Sequence, residues 1–591
     1  MPLTQPASRH TVRLLFIAPL LLLGLNFLLN WNTTLDDAWI TFRYARNLAA
    51  GHGLVFNPTD PQPTEGFTSI LHVVFSCLGL LSGIHPLIFT RLANLILLGT
   101  VPLIALASLR SHWRQAPALS LLPLALYLGA DATASHACNG METIFFACGT
   151  FLLGLLAADV ALQPSLPRSV LLGLAGFMLA LVRPEAGLLF AVHLGLLAIR
   201  AGWVGFRRAA APLISAGGTF ALLLAAYLAW KWSYFGYLLP NSYYVKTRGA
   251  VFGLPSESWP GLRHVAQYLT SFDQGMPPAL LLLLVILLLR PRAARSPVAA
   301  ALGVHSLIPV AVLLAYYTRI VHESCWFRFE LAALLPVLYT ASVFLAGPEG
   351  LLAGVTTGEG QAADDRAPQR VVVGLAVGFT LLAAHPWSLR HLPRALKEAT
   401  ILPSDTIFAW FGQDLARAGL GDRLVLMIGA TGIIPYLSDA TTVDYVGLND
   451  NFLSGRIPSD VAATESYYRS RNPDVIFVKW PPGAARGKEE DPIFQVMLHS
   501  LQGKYPEGLM VRLHHSDAYL EFVHRVMNDL RERYQVVAVY GGGPYIVYLR
   551  RDSPHAEAVR KAFAASPYVL RGVDPAAYVA MKAAAGEMDP Y

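Results

Sequence analysis

Over the first two-thirds of the chain, apolar residues fall in long blocks rather than in short alternations. The blocks lie at 14–31, 87–109, 118–130, 141–160, 170–182, 186–199, 209–231, 265–289, 297–316, 329–347 and 371–387. A helix that crosses a bilayer needs about 20 such residues, so the pattern predicts about eleven spans, those at 118–130 and 170–182 being short. Arg9 and Arg13 precede the first block as in a signal peptide. No small-residue cleavage site follows, and the block is read as an uncleaved first helix. The segment Phe67–Ile84 is also apolar, but counting it as a span breaks the alternation of polar loops, so it is placed along the interface or half-inserted.

Past residue 388 the pattern changes to short runs. Asp422–Ile428, Thr441–Val446 and Asp474–Val478 read as strands, with helical patterns near 459–471 and 517–533 between them. Gln535–Tyr540, a Gly541–Pro544 turn and Tyr545–Leu549 read as a terminal hairpin. The expectation is a polytopic α-helical membrane protein over residues 1–390, followed by a C-terminal soluble α/β domain over 391–591. The Gly- and acid-rich stretch 348–369 is read as a flexible cytoplasmic loop.

Composition narrows the class. The 591 residues are 54% hydrophobic and only 14% charged, against roughly 25% charged in soluble domains. With a mean hydropathy of +0.45, a wholly soluble or a disordered protein is excluded. The net charge of +6, from 45 Lys and Arg against 39 Asp and Glu, fits the excess of basic residues on cytoplasmic loops better than nucleic-acid binding. With the N-terminus inside, Arg110, Arg114, Arg168, Arg200, Arg207, Arg208, Arg290, Arg292 and Arg295 fall on the cytoplasmic face. The polar, motif-rich loops then share the opposite face. Cys77, Cys138, Cys148 and Cys325 form no CxxC pair and read as small hydrophobes.

Candidate chemistry gathers in those loops. Asp36 and Asp37 follow the first span, where Thr34-x-x-Asp37 is a capping-box variant opening a helix that Gly51 ends. Neighbouring helical residues point about 100° apart, so one carboxylate is expected to react and the other to support. Asp37 could instead serve only as a cap. Glu65, in Pro63–Thr68, reads by itself as a solvated loop acid, and Glu142 as a favourable acid at a helix start. Arg183-Pro184-Glu185 reads as an ion pair closing a tight turn between two spans. Trp230, Trp232 and Tyr234, at the start of the aromatic stretch that runs on to Lys246, read as an interfacial belt, which leaves Asn241 and Lys246 unexplained. Lys246 suits a lipid phosphate as a point charge. His322 and Arg328 are assigned to the same face, and Arg328 could fork onto a phosphate or simply snorkel. Gly429–Gly432 is neither a dinucleotide fingerprint nor a P-loop, and His514-His515 lacks metal-ligand spacing.

The stretch LDDAWITFRYARNLAAGHGLVFNP (35–58) with TEGFTS (64–69) resembles a family of bacterial polytopic glycosyltransferases of the GT-C class, in particular the AftB-type mycobacterial arabinofuranosyltransferases. The TfpW-type pilin arabinosyltransferases are similar in kind. The likeness continues through GMET (140–143), RPE (183–185), YFGYLLPNSYYVK (234–246), RFELAALLP (328–336) and DYVGLND (444–450). It departs at DDAWI, where DDAYI is commoner, and in the Pro-rich insertion Thr59–Pro63.

The resemblance implies a GT-C-like bundle in a bacterial inner membrane and an active site on its extracytoplasmic side. It implies transfer of a sugar from a polyprenyl-phosphate donor, by likeness decaprenyl-phosphate arabinofuranose, to a glycan or pilin-like protein acceptor. Membrane lipid is then a partner, nucleic acid is not, and metal need stays open. The catalytic role maps to Asp36 or Asp37, with Asp37 preferred. Lys246, Arg328, Asn241, Tyr243 and His322 are expected at the donor and its phosphate, and Glu65, Glu142, Arg183 and Glu185 in acceptor or supporting roles. The alternatives are a transporter or flippase for a lipid-linked sugar, or a same-class transferase of mannose or aminoarabinose. A transporter predicts an internal repeat and midplane charges, and neither is visible.

Overall fold

The computed structural model describes residues 20–114, 118–204, 206–246, 261–271, 275–289, 296–320, 327–346, 407–454, 461–479, 532–540 and 545–573. Contacts gather the chain into two compact units. One comprises Met1–Leu35, Thr68–Ser233 and Leu254–Leu402, and the other Asp36–Phe67, Tyr234–Gly253 and Pro403–Tyr591.

Helices follow the apolar blocks. In chain order they are α1 (Leu20–Leu29), α2 (Asp36–Ala49), α3 (Ile70–Leu81), α4 (Pro86–His112), α5 (Leu122–Gly129), α6 (Asp131–Cys138) and α7 (Thr143–Leu162). Then come α8 (Leu166–Val182), α9 (Ala186–Val204), α10 (Phe206–Phe235), α11 (Asn241–Lys246), α12 (Leu262–Thr270), α13 (Met276–Leu289), α14 (Pro297–Ile320) and α15 (Leu334–Ala346). Among the described residues, four stretches are long and apolar enough to cross a membrane: Pro86–His112, Thr143–Leu162, Ala210–Phe235 and Pro297–Thr318. The other apolar helices are shorter. The block at 265–289 is divided, because Gly275 takes a φ of +81° and breaks the helix between α12 and α13. The block at 371–387, the link at 348–369 and the turn at 541–544 lie outside the described residues, as do Cys325, His514-His515 and most of the helix expected at 517–533.

The segment 67–84 contains a true helix. Ser69 caps α3 by accepting the His72 N–H at 3.3 Å. Among the described residues, one buried apolar cluster gathers α4, α5, α13 and α15 and another α8 and α9, with α7 and α14 contributing to both. Cys77, Cys138 and Cys148 are free and buried, as small hydrophobes are.

The second unit carries α16 (Ile407–Arg417), β1 (Val425–Ile428), α17 (Ile433–Ser438), β2 (Thr441–Asp444), α18 (Val461–Arg471), β3 (Val475–Lys479), β4 (Tyr534–Tyr540), β5 (Tyr545–Arg550) and α19 (Ala556–Ala564). These are the expected strands and the expected hairpin. They form one mixed sheet in the order β2-β1-β3-β5-β4, with β1 parallel to β2 and β3 and β5 antiparallel to β3 and β4. Buried Asp474 ties the strands at one end. It accepts from the Val425 N–H at 3.0 Å, the Arg550 guanidinium at 2.8 Å and the Ser553 hydroxyl at 2.7 Å. The core beneath is aromatic, with Phe411 stacked on Phe477 at 4.4 Å and near Phe563 at 5.9 Å.

Parallel strands send their following turns to the same edge of a sheet. Here the turns after β1 (429–432) and β2 (445–451) emerge side by side, and both reach α2 and the segment that follows it.

Phe411 fills that core completely. Phe411→Ala is expected to cost about 3–5 kcal/mol through the lost burial and the cavity left behind. Faster proteolysis of the C-terminal region in limited digestion checks it.

Candidate functional site

Asp36 and Asp37 open α2, where carboxylates favour the positive end of the helix. Gly51, at φ +86°, ends it. Asp36 accepts the Gly432 N–H on one oxygen at 3.0 Å and the Ile433 N–H on the other at 2.8 Å. These are the otherwise unpaired amides at the start of α17, so the carboxylate caps a helix nearly 400 residues away in sequence. Burial pushes the Asp36 pKa up from 3.8 to about 6; the charge of Asp37 adds to this, while the two amides oppose it.

Farther along α2, Arg43 donates to the carbonyls of Phe56 and Ala440, each at 2.8 Å, and to that of Pro435. Burial, together with the charge of Arg46, lowers its pKa to about 9. Arg46 pairs with Asp439 and donates to the Tyr436 carbonyl at 2.7 Å. Trp39 meets the Tyr436 ring edge-on at 5.0 Å.

Beyond α2 the chain turns back through Asn57 and the 64–67 segment. Asn57 exchanges hydrogen bonds with Thr442, donating to its carbonyl at 2.9 Å and accepting its N–H at 3.0 Å. Tyr44 accepts the Gly66 N–H at 2.9 Å and donates to the Thr64 carbonyl at 2.7 Å. The Glu65 N–H donates to the Tyr237 hydroxyl at 2.9 Å, and the Glu65 carbonyl accepts the Asn241 N–H at 3.0 Å. Tyr237 and the Asn241 amide both donate to Asn451, at 2.9 and 3.2 Å, and Asn451 donates to the Pro63 carbonyl at 3.2 Å. Glu65 is therefore buried in a hydrogen-bonded turn, not a solvated loop acid. Asn241 is wholly buried, and its carbonyl oxygen accepts no hydrogen bond among the described residues. Tyr243 is half-exposed, edge-on to Tyr244 at 5.6 Å. Lys246 ends α11; its side chain, like His322, lies outside the described residues.

The first unit holds a second polar cluster. Arg183 sits between Glu185 at 3.1 Å and Glu142 at 3.7 Å, all three poorly accessible. The pairing of Arg183 with Glu185 follows the tight-turn reading, and Glu142 joins it from the start of α7. The Arg183 guanidinium lies 4.1 Å from the centre of the Phe329 ring, and Arg328 lies 4.9 Å from the same ring. Glu330, fully buried, faces His264 at 3.4 Å. GMET, RPE and RFE, far apart in sequence, thus converge. Among the described residues no group of three or more potential metal ligands comes together.

Tyr44, Asn57, Tyr237, Thr431, Asp444, Asn449 and Asn451 were not singled out from the sequence. Asn and Asp at short intervals in 444–451 are a turn signal, but nothing local says what such a turn holds.

No family model and no curated protein matches this chain. Among solved structures, the crystal structure of ArnT from Cupriavidus metallidurans in the apo state is similar over 80% of this chain and 93% of that one, at 13% identity and a TM-score of 0.47. The structure of ArnT bound to undecaprenyl phosphate is similar over 80% and 94%, at 13% identity and a TM-score of 0.44. Likenesses of this size leave the reaction to be read from the chain's own residues.

Three outcomes follow from the geometry. A Cβ on Gly432 would overlap the Asp36 carbonyl oxygen, so Gly432→Ala is expected to cost about 1–3 kcal/mol by overpacking, seen as a lower Tm. Arg183→Leu leaves Glu142 and Glu185 buried without their cation, a loss of about 3–5 kcal/mol, measurable by thermal unfolding in detergent. Folded Asp36 keeps its proton up to about pH 6, whereas an unfolded aspartate releases it near 3.8. Its contribution to stability is therefore full below the lower value and lost as pH rises through the higher one. The Tm of the native protein minus that of Asp36→Asn should be larger at about pH 4.5 than at about pH 7.5.

Proposed function

We propose that this protein is a membrane glycosyltransferase that moves a sugar, by its sequence resemblance arabinofuranose, from a polyprenyl-phosphate donor to an extracytoplasmic glycan or protein acceptor. A bacterial inner-membrane location, with the active site and the α/β domain on the outer side, belongs to the same proposal, as does a GT-C-like bundle.

One observation carries it: both carboxylate oxygens of Asp36 are held by backbone amides. That engagement of Asp36 with the Gly432 and Ile433 amides supports a structural role for it in the proposed site. Asp37, the next residue and about 100° round the helix, is the carboxylate proposed for chemistry. In the transfer the bond between the anomeric carbon and the phosphate oxygen breaks, and its electron pair leaves with the phosphate. The acceptor oxygen bonds to that carbon and gives its proton to Asp37, whose charge also steadies the oxocarbenium-like centre. A cation stabilises the departing phosphate, and Lys246, in the same unit, is proposed for this. The burial of Glu65 and Asn241 beside the turn supports a role in shaping the site rather than in proton transfer.

Radiolabelled sugar transfer from decaprenyl-phosphate arabinofuranose by membranes carrying Asp37→Asn tests the reading. Loss of a general base is expected to slow transfer by about 10²–10⁴-fold, with a smaller loss for Asp36→Asn. Undiminished transfer by Asp37→Asn contradicts it. A panel of other polyprenyl-phosphate sugars identifies the donor.

A further inference from the structure

Asp444, the last residue of β2, is wholly buried yet accepts from five donors. One oxygen takes the Val446 N–H at 3.0 Å and the Gly447 N–H at 3.1 Å. The other takes the Asn449 N–H at 2.8 Å, the Asn449 side-chain amide at 3.3 Å and the Thr431 hydroxyl at 3.4 Å. Two amides suffice to close a turn after a strand. Of the remaining three, the two from Asn449 close the same turn further and the Thr431 hydroxyl ties it to the turn after β1, a tie that the Asn449 amide reinforces by donating to Thr431 at 2.9 Å.

Each tied turn leads to the segment that carries the paired aspartates. Thr431 directly precedes the Gly432 and Ile433 amides that hold Asp36. Asn449 accepts from the Tyr44 hydroxyl at 3.4 Å, and Tyr44 holds both sides of Glu65. Neither path has slack. A Cβ on Gly66 would overlap the Asn449 side chain, one on Gly432 would overlap Asp36, and Gly447 takes a φ of +91° against the Leu453 carbonyl.

Resting on the assignment of Asp37 as the proton acceptor, we propose that Asp444 is a positioning residue for the reaction: by locking the 429–432 and 445–451 turns together it fixes Asp36, and with it the start of α2 from which Asp37 projects. It touches no reacting atom. A reactive group displaced by about 1 Å can lose about 10²-fold in rate while binding persists. Burial, with the charge of Asp450, holds the Asp444 pKa up near 7 against the pull of the Asn449, Gly447 and Val446 amides.

The test is steady-state transfer by the full-length protein in nanodiscs, with decaprenyl-phosphate arabinofuranose as the varied substrate. Asp444→Asn turns one acceptor oxygen into a donor facing N–H groups. With rates referred to the folded fraction measured by thermal unfolding, so that loss of folded enzyme is removed, it is expected to lower kcat by about 10–100-fold with KM changed less than about twofold. If Asp444→Asn fails to fold, Thr431→Val decides: it removes the hydroxyl tie at nearly constant volume and should lower kcat at least about fivefold, again with KM held. Native kcat in whichever of these variants folds, or a raised KM at native kcat, overturns the proposal. Asp37→Asn run in parallel separates the two ideas. If Asp37→Asn is inactive while Asp444→Asn is fully active, only the positioning role falls; if Asp37→Asn is fully active, the premise itself falls.

Discussion

The carboxylate of Asp36 on the two leading amides of α17 is the contact on which the second unit is organised. It satisfies groups that every helix start leaves unpaired. It also joins α2, which follows the first apolar helix, to a turn of the C-terminal sheet. Arg43 and Arg46 extend the same join by capping carbonyls around the other end of α17. A buried guanidinium is costly unless its hydrogens are taken up, and Arg43 spends its own on backbone carbonyls. α2 is thereby held at both ends of a six-residue helix.

This arrangement gives the aspartate pair a physical meaning. Two adjacent acids in one helical turn cannot serve one reacting centre, since their side chains diverge. In the proposed reading, fixing one by backbone amides gives a rigid base for the other, the condition that proximity and orientation demand of a catalytic group. The turn at Glu65, the amide of Asn241, Asn449 and Asn451 stiffen the adjoining segment by buried and part-buried hydrogen bonds. In the first unit, Arg183 does comparable work between α7, α8 and α9 by pairing with Glu142 and Glu185 against Phe329.

Much of the architecture was legible in local pattern. The α2 helix with its Gly51 stop, the strands at 425–428, 441–444 and 475–479, the closing hairpin and the Arg183–Glu185 pair all follow from periodicity, glycine conformation and short spacing. The division of the 265–289 block is also a glycine effect, though one glycine in an apolar run does not announce a break. What could not be read were contacts across hundreds of residues: Tyr44 with Asn449, Asn57 with Thr442, Asp36 with Gly432. Asp444 looked like part of a motif only by resemblance. Its role emerges when parallel β1 and β2 deliver their turns to one edge of the sheet. Glu65 misled for the same reason, since an acid in a Pro- and Gly-flanked loop looks solvated until Tyr44 and Tyr237 enclose its backbone.

The central claim is a division of roles between two neighbouring carboxylates. Its most direct test is an experimental structure of the protein in a lipid nanodisc with a non-hydrolysable polyprenyl-phosphonate pentose bound. The account predicts the anomeric carbon within reach of Asp37, the phosphonate beside Lys246, and Asp36 still on the Gly432 and Ile433 amides. A sugar seated against Asp36 with those amides released, or bound away from α2 altogether, would contradict it.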